Sequence, residues 1–269
     1  MAVVYGLVFG SFANAVAYRV PTGETLWTRS HCPKCDAQIK AWQNIPVLSW
    51  LFLRGKCANC KEPISIQYPA IELLTGVLFG LLTWFVIKQD YANFYYFPYY
   101  SIIPPILIAV VLCYFAFISV VLSIIDFKTM TLPTKLIYPT WIGSVVLLSI
   151  ASYVMKDFDS IKTMLIGGAA SMLFYGIIWF VVPRGFGFGD VRLVLLTGSI
   201  LGWFSIGHAV LGVMLPFILS SIVMLPLLLL KVVDRKTKVP LGPWIIAATI
   251  ITVFFGDIIV DTYLSIGGF

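Results

Sequence analysis

Charge is scarce in this chain. Asp, Glu, Lys and Arg together make up 11% of its 269 residues, against 60% hydrophobic residues, a balance that excludes an ordinary soluble globular domain. Histidine is nearly absent as well. His31 and His208 stand far apart, one beside a cysteine and one near the start of an apolar run; neither carries a usable functional signal. There is no low-complexity tract, no convincing repeat among the apolar runs and no glycine-rich nucleotide fingerprint, so no motif assigns cofactor-binding residues. No Lys or Arg precedes the first apolar run, whereas Arg19 follows it. That order argues against a cleaved signal peptide, despite the small residues Ala15-Val16-Ala17, and favours an anchor with its amino terminus outside.

What the chain has in abundance is apolar runs of membrane-spanning length, about 17 to 25 residues each. Eight can be read, near residues 2–20, 69–87, 104–125, 133–155, 161–182, 190–204, 207–230 and 240–260. The sixth is the shortest and carries Arg192. The fold expected is therefore an all-α polytopic membrane protein of about eight transmembrane helices, whose first partner is the lipid bilayer. The net charge of +6 reports topology rather than nucleic-acid binding. The loops at 19–68, 126–135, 184–192 and 231–238 hold 15 of the 18 Lys and Arg residues. By the positive-inside rule these loops face the cytoplasm and both termini lie outside.

One polar segment, residues 21–68, interrupts the apolar pattern and divides the chain into a first span (1–20), a small cytoplasmic domain (21–68) and a membrane region (69–269). It carries Cys32-Pro33-Lys34-Cys35 and Cys57-Ala58-Asn59-Cys60. Two such pairs at this separation match a four-cysteine zinc site, structural rather than catalytic because four thiolates leave no open position for water. Disulfides are the competing reading, disfavoured by a cytoplasmic location. A left-handed turn after each second cysteine would suit glycine, yet Asp36 and Lys61 stand there. His31 is a surface residue on this reading, because four cysteines complete the metal shell. Cys113, in the third apolar run, is a packing residue.

Asp126 and Asp190 stand at the edges of apolar runs, each at a cytoplasmic turn in the topology above. An ionisable group there is a functional candidate by default. Two carboxylates brought close in a partly desolvated site share a proton, which suits peptide hydrolysis: one member activates water and the other polarises the scissile carbonyl. Gly185, Gly187 and Gly189 lead up to Asp190, leaving backbone open to close approach, and Pro133 favours a helix start shortly after Asp126. Lys128 and Arg192 suit snorkelling to the interface. Helix capping would also explain either aspartate, above all Asp190. The residues alone leave open proteolysis, ion-coupled transport through intramembrane carboxylates, and a non-enzymatic scaffold.

The motifs in order resemble the type IV prepilin peptidases over nearly the whole chain. They are Phe9-Gly10-Ser11-Phe12-Ala13-Asn14, Tyr18-Arg19-Val20-Pro21, the cysteine pairs, Asn44-Ile45-Pro46-Val47-Leu48-Ser49-Trp50, Arg54-Gly55-Lys56-Cys57, Pro63-Ile64-Ser65, Tyr68-Pro69, Glu72-Leu73, Leu132-Pro133 and Gly187-Phe188-Gly189-Asp190. The resemblance implies that Asp126 and Asp190 are catalytic. It also implies that the enzyme removes a short basic leader from prepilins and pseudopilins of type IV pilus and type II secretion systems, at the cytoplasmic face of the bacterial inner membrane. Relatives with the cysteine-bearing domain also methylate the new amino terminus with S-adenosylmethionine, and Asn14, Arg19, Glu72 and the segment 44–50 become cofactor candidates by proximity to that domain. Two departures stand out. Thr134 follows Pro133 where many members have Asp, and Arg192 stands where Lys is often found.

Overall fold

A computed structural model describes residues 1–26, 29–93, 102–182, 186–234 and 239–267. Gly185 and the loop cations Arg184, Arg235, Lys236 and Lys238 lie outside the described residues. Eight long helices are present among them: α1 (Ala2–Thr22), α3 (Gln67–Asn93), α4 (Ile103–Thr129), α5 (Thr134–Met155), α6 (Phe158–Val181), α7 (Phe188–Phe204), α8 (Ile206–Leu229) and α9 (Gly242–Gly267). A short α2 (Leu48–Phe52) lies in the cysteine segment, and no strand occurs among the described residues. Seven of the long helices are long and apolar enough to cross a membrane. The exception, α7, has 17 residues, about 25 Å at 1.5 Å per residue, short of a hydrocarbon core of about 30 Å. The protein is an all-helical, multi-pass membrane protein.

Helix ends follow local chemistry more closely than the apolar runs did. Gly23, at φ 74°, closes α1 by returning its N–H to Arg19 O, the usual left-handed glycine stop. Asp157 and Ser205 begin α6 and α8 by accepting the N–H groups of Ser160 and His208. His208, silent in the sequence, is buried, with its Nδ1 2.7 Å from Ser205 Oγ. The apolar run of α4 was expected to stop at a turn beginning with Asp126; the helix instead continues to Thr129, with Met130 as its left-handed cap. Pro133 is the N-cap of α5. Large apolar side chains such as Leu173, Phe180, Val210 and Ile222 point outward from their helices, as helices facing lipid do.

The chain divides into two compact units, Met1–Tyr100 with Leu112–Ile125, and Ser101–Val111 with Asp126–Phe269. In the first, α1 packs on α3. A Cβ at Gly10 would lie 2.7 Å from Glu72 Cα, so the two backbones meet where only glycine fits. Phe9 and Phe12 cover this seam against Phe117 of α4. In the second, α7 is surrounded by α5, α6, α8 and α9, and 12 of its residues are buried. The shortest span, the one that carries Arg192, is thus the central one, shielded by its neighbours instead of meeting lipid. Its far end is pinned by Trp203, whose Nε1 donates to Ser152 Oγ at 2.8 Å beside Val111, Leu148 and Met164.

Candidate functional site

The cysteine segment folds as two similar turns. Asp36 N–H returns to Cys32 O at 2.9 Å and Cys32 N–H donates to Ala37 O at 3.0 Å; Lys61 N–H returns to Cys57 O at 3.1 Å and Cys57 N–H donates to Glu62 O at 2.8 Å. Both turns close through the left-handed residues that the sequence left uncomfortable, Asp36 at φ 53° and Lys61 at φ 61°. Isolated bridges His31–Gln38 and Lys56–Pro63 flank them. The four sulfurs all lie within 4.8 Å of one another. Cys32 and Cys60 Sγ are 3.9 Å apart, close to the roughly 3.8 Å edge of a tetrahedron with Zn–S bonds of about 2.3 Å and far beyond a disulfide bond of about 2.0 Å. The cluster has the donor set and the spacing to hold zinc.

Backbone donors prepare these thiols for a metal. The amides of Cys60 and Asn59 pull Cys57 down to about 6, and the backbone at Ala37 and the Asn59 side chain lower Cys35. Cys60 moves the other way, up to about 12. The Glu62 backbone favours its thiolate, but loss of water and three neighbouring sulfurs outweigh that. Without a cation, four negative sulfurs would repel one another, and that repulsion helps keep Cys60 protonated. His31 is exposed and Cys113 Sγ lies 3.7 Å from Thr83 Oγ1; neither belongs to the cluster.

Within the first unit, a cavity of about 730 Å³ opens beside this cluster. The residues singled out by proximity converge on it: Asn14, Arg19, Glu72, Asn44, Ser49 and Trp50 all line its wall. Glu72 Oε2 accepts Val47 N–H at 2.6 Å. Val47 holds that position at φ 61°, a strained conformation for a β-branched residue. Trp50 Nε1 donates to Ile64 O at 3.0 Å, and its ring lies against Gly55.

The second unit brings the two aspartates into one environment. Asp126 sits in the last turn of α4 and Asp190 in the first turn of α7, and they are 5% and 8% exposed. Asp126 Oδ2 accepts the N–H of Gly242, the first residue of α9, at 3.2 Å. Asp190 reaches back to the backbone of Gly187, its own N-cap, as an acidic residue does at the third position of a helix. The two carboxylates repel one another electrostatically. Leu132 ties them together sterically: a Cβ at Gly189 would lie 2.9 Å from Leu132 Cβ, and one at Gly242 would lie 3.3 Å from Leu132 Cδ2 and 2.7 Å from Asp126 Oδ2.

Three participants escaped the sequence. Gly242 is separated from Asp126 by 116 residues, and nothing local to Gly242 marks it. Tyr175, buried in α6, interacts electrostatically with Asp190 and donates its hydroxyl to Val213 O at 3.2 Å. Phe186 packs on the Tyr175 ring. Arg192 does more than snorkel. Its Nη1 donates to Thr134 Oγ1 and its guanidinium stacks 4.5 Å over Phe188, so the two departures from the common pattern contact one another.

Comparison with known proteins decides the family. Residues 4–86 match the bacterial peptidase A24 N-terminal domain and residues 113–266 match the type IV leader peptidase family. The chain belongs to the type IV leader peptidase family. Similar relatives are named prepilin leader peptidase/N-methyltransferase. That of Neisseria gonorrhoeae is 34% identical over 236 residues, covering 75% of this chain and 73% of the relative. That of Burkholderia pseudomallei (strain 1026b) is 31% identical over 300 residues, covering 99% and 87%, and that of Stutzerimonas stutzeri is 28% identical over 290 residues, covering 98% and 93%. No solved structure matches. For this leader peptidase family member, the cysteine cluster lies in the part matched by the N-terminal model, and both aspartates lie in the part matched by the peptidase model.

Proposed function

We propose that this protein is a prepilin peptidase and amino-terminal methyltransferase of the bacterial inner membrane, using Asp126 and Asp190 as an intramembrane aspartyl pair. The observation that carries the hydrolytic half is the convergence of two buried, mutually repelling carboxylates beneath Leu132 and Gly242. Capping alone does not account for it. Each carboxylate does meet a helix start, but a capping role needs no second carboxylate within reach, where like charge is unfavourable.

The pair shares one proton. The ionised member takes a proton from a water held between the two, and the water oxygen attacks the scissile carbonyl carbon while the protonated member hydrogen-bonds its oxygen. The C–N bond then breaks, and the leaving nitrogen takes up a proton from the pair. The Gly242 amide fixes Asp126 in place, and the Gly187 backbone does the same for Asp190. Exposed Phe127, Met130 and Phe188 beside the aspartates suit a substrate whose cleavage point borders an apolar helix, as in prepilins and pseudopilins.

The concentration of Lys and Arg in alternate loops supports carboxylates at the cytoplasmic side and termini outside, where a basic leader would reach them. Cys32, Cys35, Cys57 and Cys60 would hold a structural zinc ion, stabilising the 21–68 domain, which has little core of its own. S-adenosylmethionine, when bound, supplies the methyl group for the new amino terminus. Hydrolysis is assigned to the membrane region within 69–269 and methyl transfer to the portion that carries the cysteines.

The test is leader cleavage of a prepilin by purified Asp126→Asn and Asp190→Asn proteins in detergent. Loss of about 10³-fold in rate for each is expected. Wild-type rates in either variant, or aspartate-dependent ion flux without cleavage, would replace the peptidase reading with transport.

A further inference from the structure

The short helix α2 has two faces, and the folded chain uses only one of them. Ser49, Trp50 and Leu53, spaced i, i+1 and i+4, turn toward the cavity of the first unit, and Trp50 is tied there by its bond to Ile64 O. Leu48, Leu51 and Phe52, spaced i, i+3 and i+4, share the other face and are 50%, 57% and 80% exposed. Ile45, just before the helix, is exposed as well. Single exposed leucines are ordinary, but a whole apolar face turned outward marks a contact surface.

The level of α2 along the membrane helices says what covers that face. Its N-cap, Val47, donates its N–H to Glu72 Oε2 at 2.6 Å, and the Ser11 side chain holds the same carboxylate. Glu72 follows Gln67, the first residue of α3, by five positions, and Ser11 precedes Thr22, the last residue of α1, by eleven. The chain thus runs out with α1 for about 16 Å beyond this level and comes back to it at α2. Leu73 and Leu74, next to Glu72, are exposed side chains of a helix long and apolar enough to cross a membrane. So α2 begins at the depth where α3 already presents apolar side chains outward. The flanking charge is of one sign. From Lys40 to Lys56 the chain has three cations, Lys40, Arg54 and Lys56, all exposed, and no acidic residue. Arg54, at φ 55°, lies directly beyond the end of α2.

We propose that α2 is an interfacial anchor. Leu48, Leu51 and Phe52 enter the boundary between headgroups and acyl chains, and Arg54 and Lys56 meet anionic lipid phosphates. An apolar face beside a cluster of cations is the pattern of a helix that lies in the plane of a membrane, and each cation is attracted to an anionic leaflet. A helix of five residues is too short to hold itself on lipid. Its bonds to Glu72 and Ile64 fix its outer face in advance, so little ordering remains to oppose insertion. The anchor holds the cavity wall on its opposite side close to the bilayer surface. This inference is independent of the prepilin reading.

The experiment uses the full chain, loaded with zinc, in nanodiscs that contain a phospholipid with a photoreactive group near the top of its acyl chain. One set of discs is phosphatidylcholine alone, and the other also contains phosphatidylglycerol. Illumination of the unmodified chain requires no variant to fold. Lipid adducts should fall on Leu48, Leu51 and Phe52 and spare Ser49 and Trp50, which face the cavity. Adducts confined to the spanning helices, as when another part of the chain or a second copy covers this face, overturn the proposal, and so does equal labelling of both faces of α2. Arg54→Gln with Lys56→Gln should lower the adduct yield at 48–52 about twofold in the anionic discs and leave it unchanged in the neutral ones, with zinc content as the check on folding. A yield that depends neither on the anionic lipid nor on these two cations overturns the electrostatic half of the anchor.

Discussion

The Gly242 amide donates to Asp126 Oδ2 across 3.2 Å, joining the start of α9 to the last turn of α4. The absence of a side chain makes this possible, since a Cβ at Gly242 would lie 2.7 Å from that same oxygen. Gly242→Ala should therefore displace the Asp126 carboxylate. A displacement of about 1 Å in a catalytic group costs about 10²-fold in rate, and leader cleavage by the variant should fall by that order. Cleavage near the wild-type rate would show that Asp126 tolerates movement and weaken its catalytic role.

Arg192 and Thr134, the two places where the chain departs from the motifs it resembles, contact one another. A neutral hydroxyl accepts from a planar guanidinium that also stacks on Phe188. Arg192→Met and Thr134→Val should each destabilise the protein, with a coupling of about 1 kcal/mol in a double-mutant cycle of unfolding in detergent. Additive effects would mean the contact contributes nothing. Thr134→Asp should be tolerated, since it returns an acidic partner to Arg192.

The α1–α3 seam predicts a stability effect away from the aspartate pair. Gly10→Val places a branched side chain where even a Cβ would lie 2.7 Å from Glu72 Cα. Over-packing of this kind costs about 1–3 kcal/mol, read as a lower midpoint of thermal unfolding. An unchanged midpoint would mean that the two helices separate easily.

Metal removal and pH probe the cysteine cluster. Metal analysis should find about one zinc per chain, and a strong chelator should release it with loss of structure in the 21–68 segment. In the stripped protein, Cys57, lowered to about 6, is a thiolate at neutral pH, whereas Cys60, raised to about 12, keeps its proton. Alkylation of Cys57 should thus rise as pH increases through about 6 and level off above it, with Cys60 the slower of the two at pH 7. Equal rates for the two across pH 5 to 8 would contradict the hydrogen-bonding arrangement. Zinc affinity should fall as pH falls, because protons compete with the metal for the four thiolates.

Much of this architecture is legible in the chain because a membrane demands long uninterrupted apolar runs and punishes stray charge. Asp126 and Asp190 are conspicuous for that reason, and the paired cysteines for their spacing. Other parts depend on distant partners. Shortness and Arg192 make α7 the weakest span, while burial by four neighbours makes it central. Gly242 is one glycine among 21 until α9 brings its amide to Asp126, and Tyr175 is an ordinary aromatic until α6 carries it toward Asp190. Asp36 and Lys61 look wrong for left-handed turns, yet both adopt them, because the closing hydrogen bonds back to Cys32 and Cys57 offset a modest local strain. The cavity itself is not legible in sequence, since Arg19 and Glu72 lie 53 positions apart and reach one wall only through the packing of α1 on α3.

The central claim is that Asp126 and Asp190 act as one unit on one water. Its most direct test is the rate of prepilin leader cleavage by Asp126→Asn, Asp190→Asn and the double variant, measured on proteins with matched zinc content. Groups that act together are strongly non-additive, so each single variant should lose about as much activity as the double. Substantial activity in either single variant, or losses that simply multiply in the double, would contradict the account.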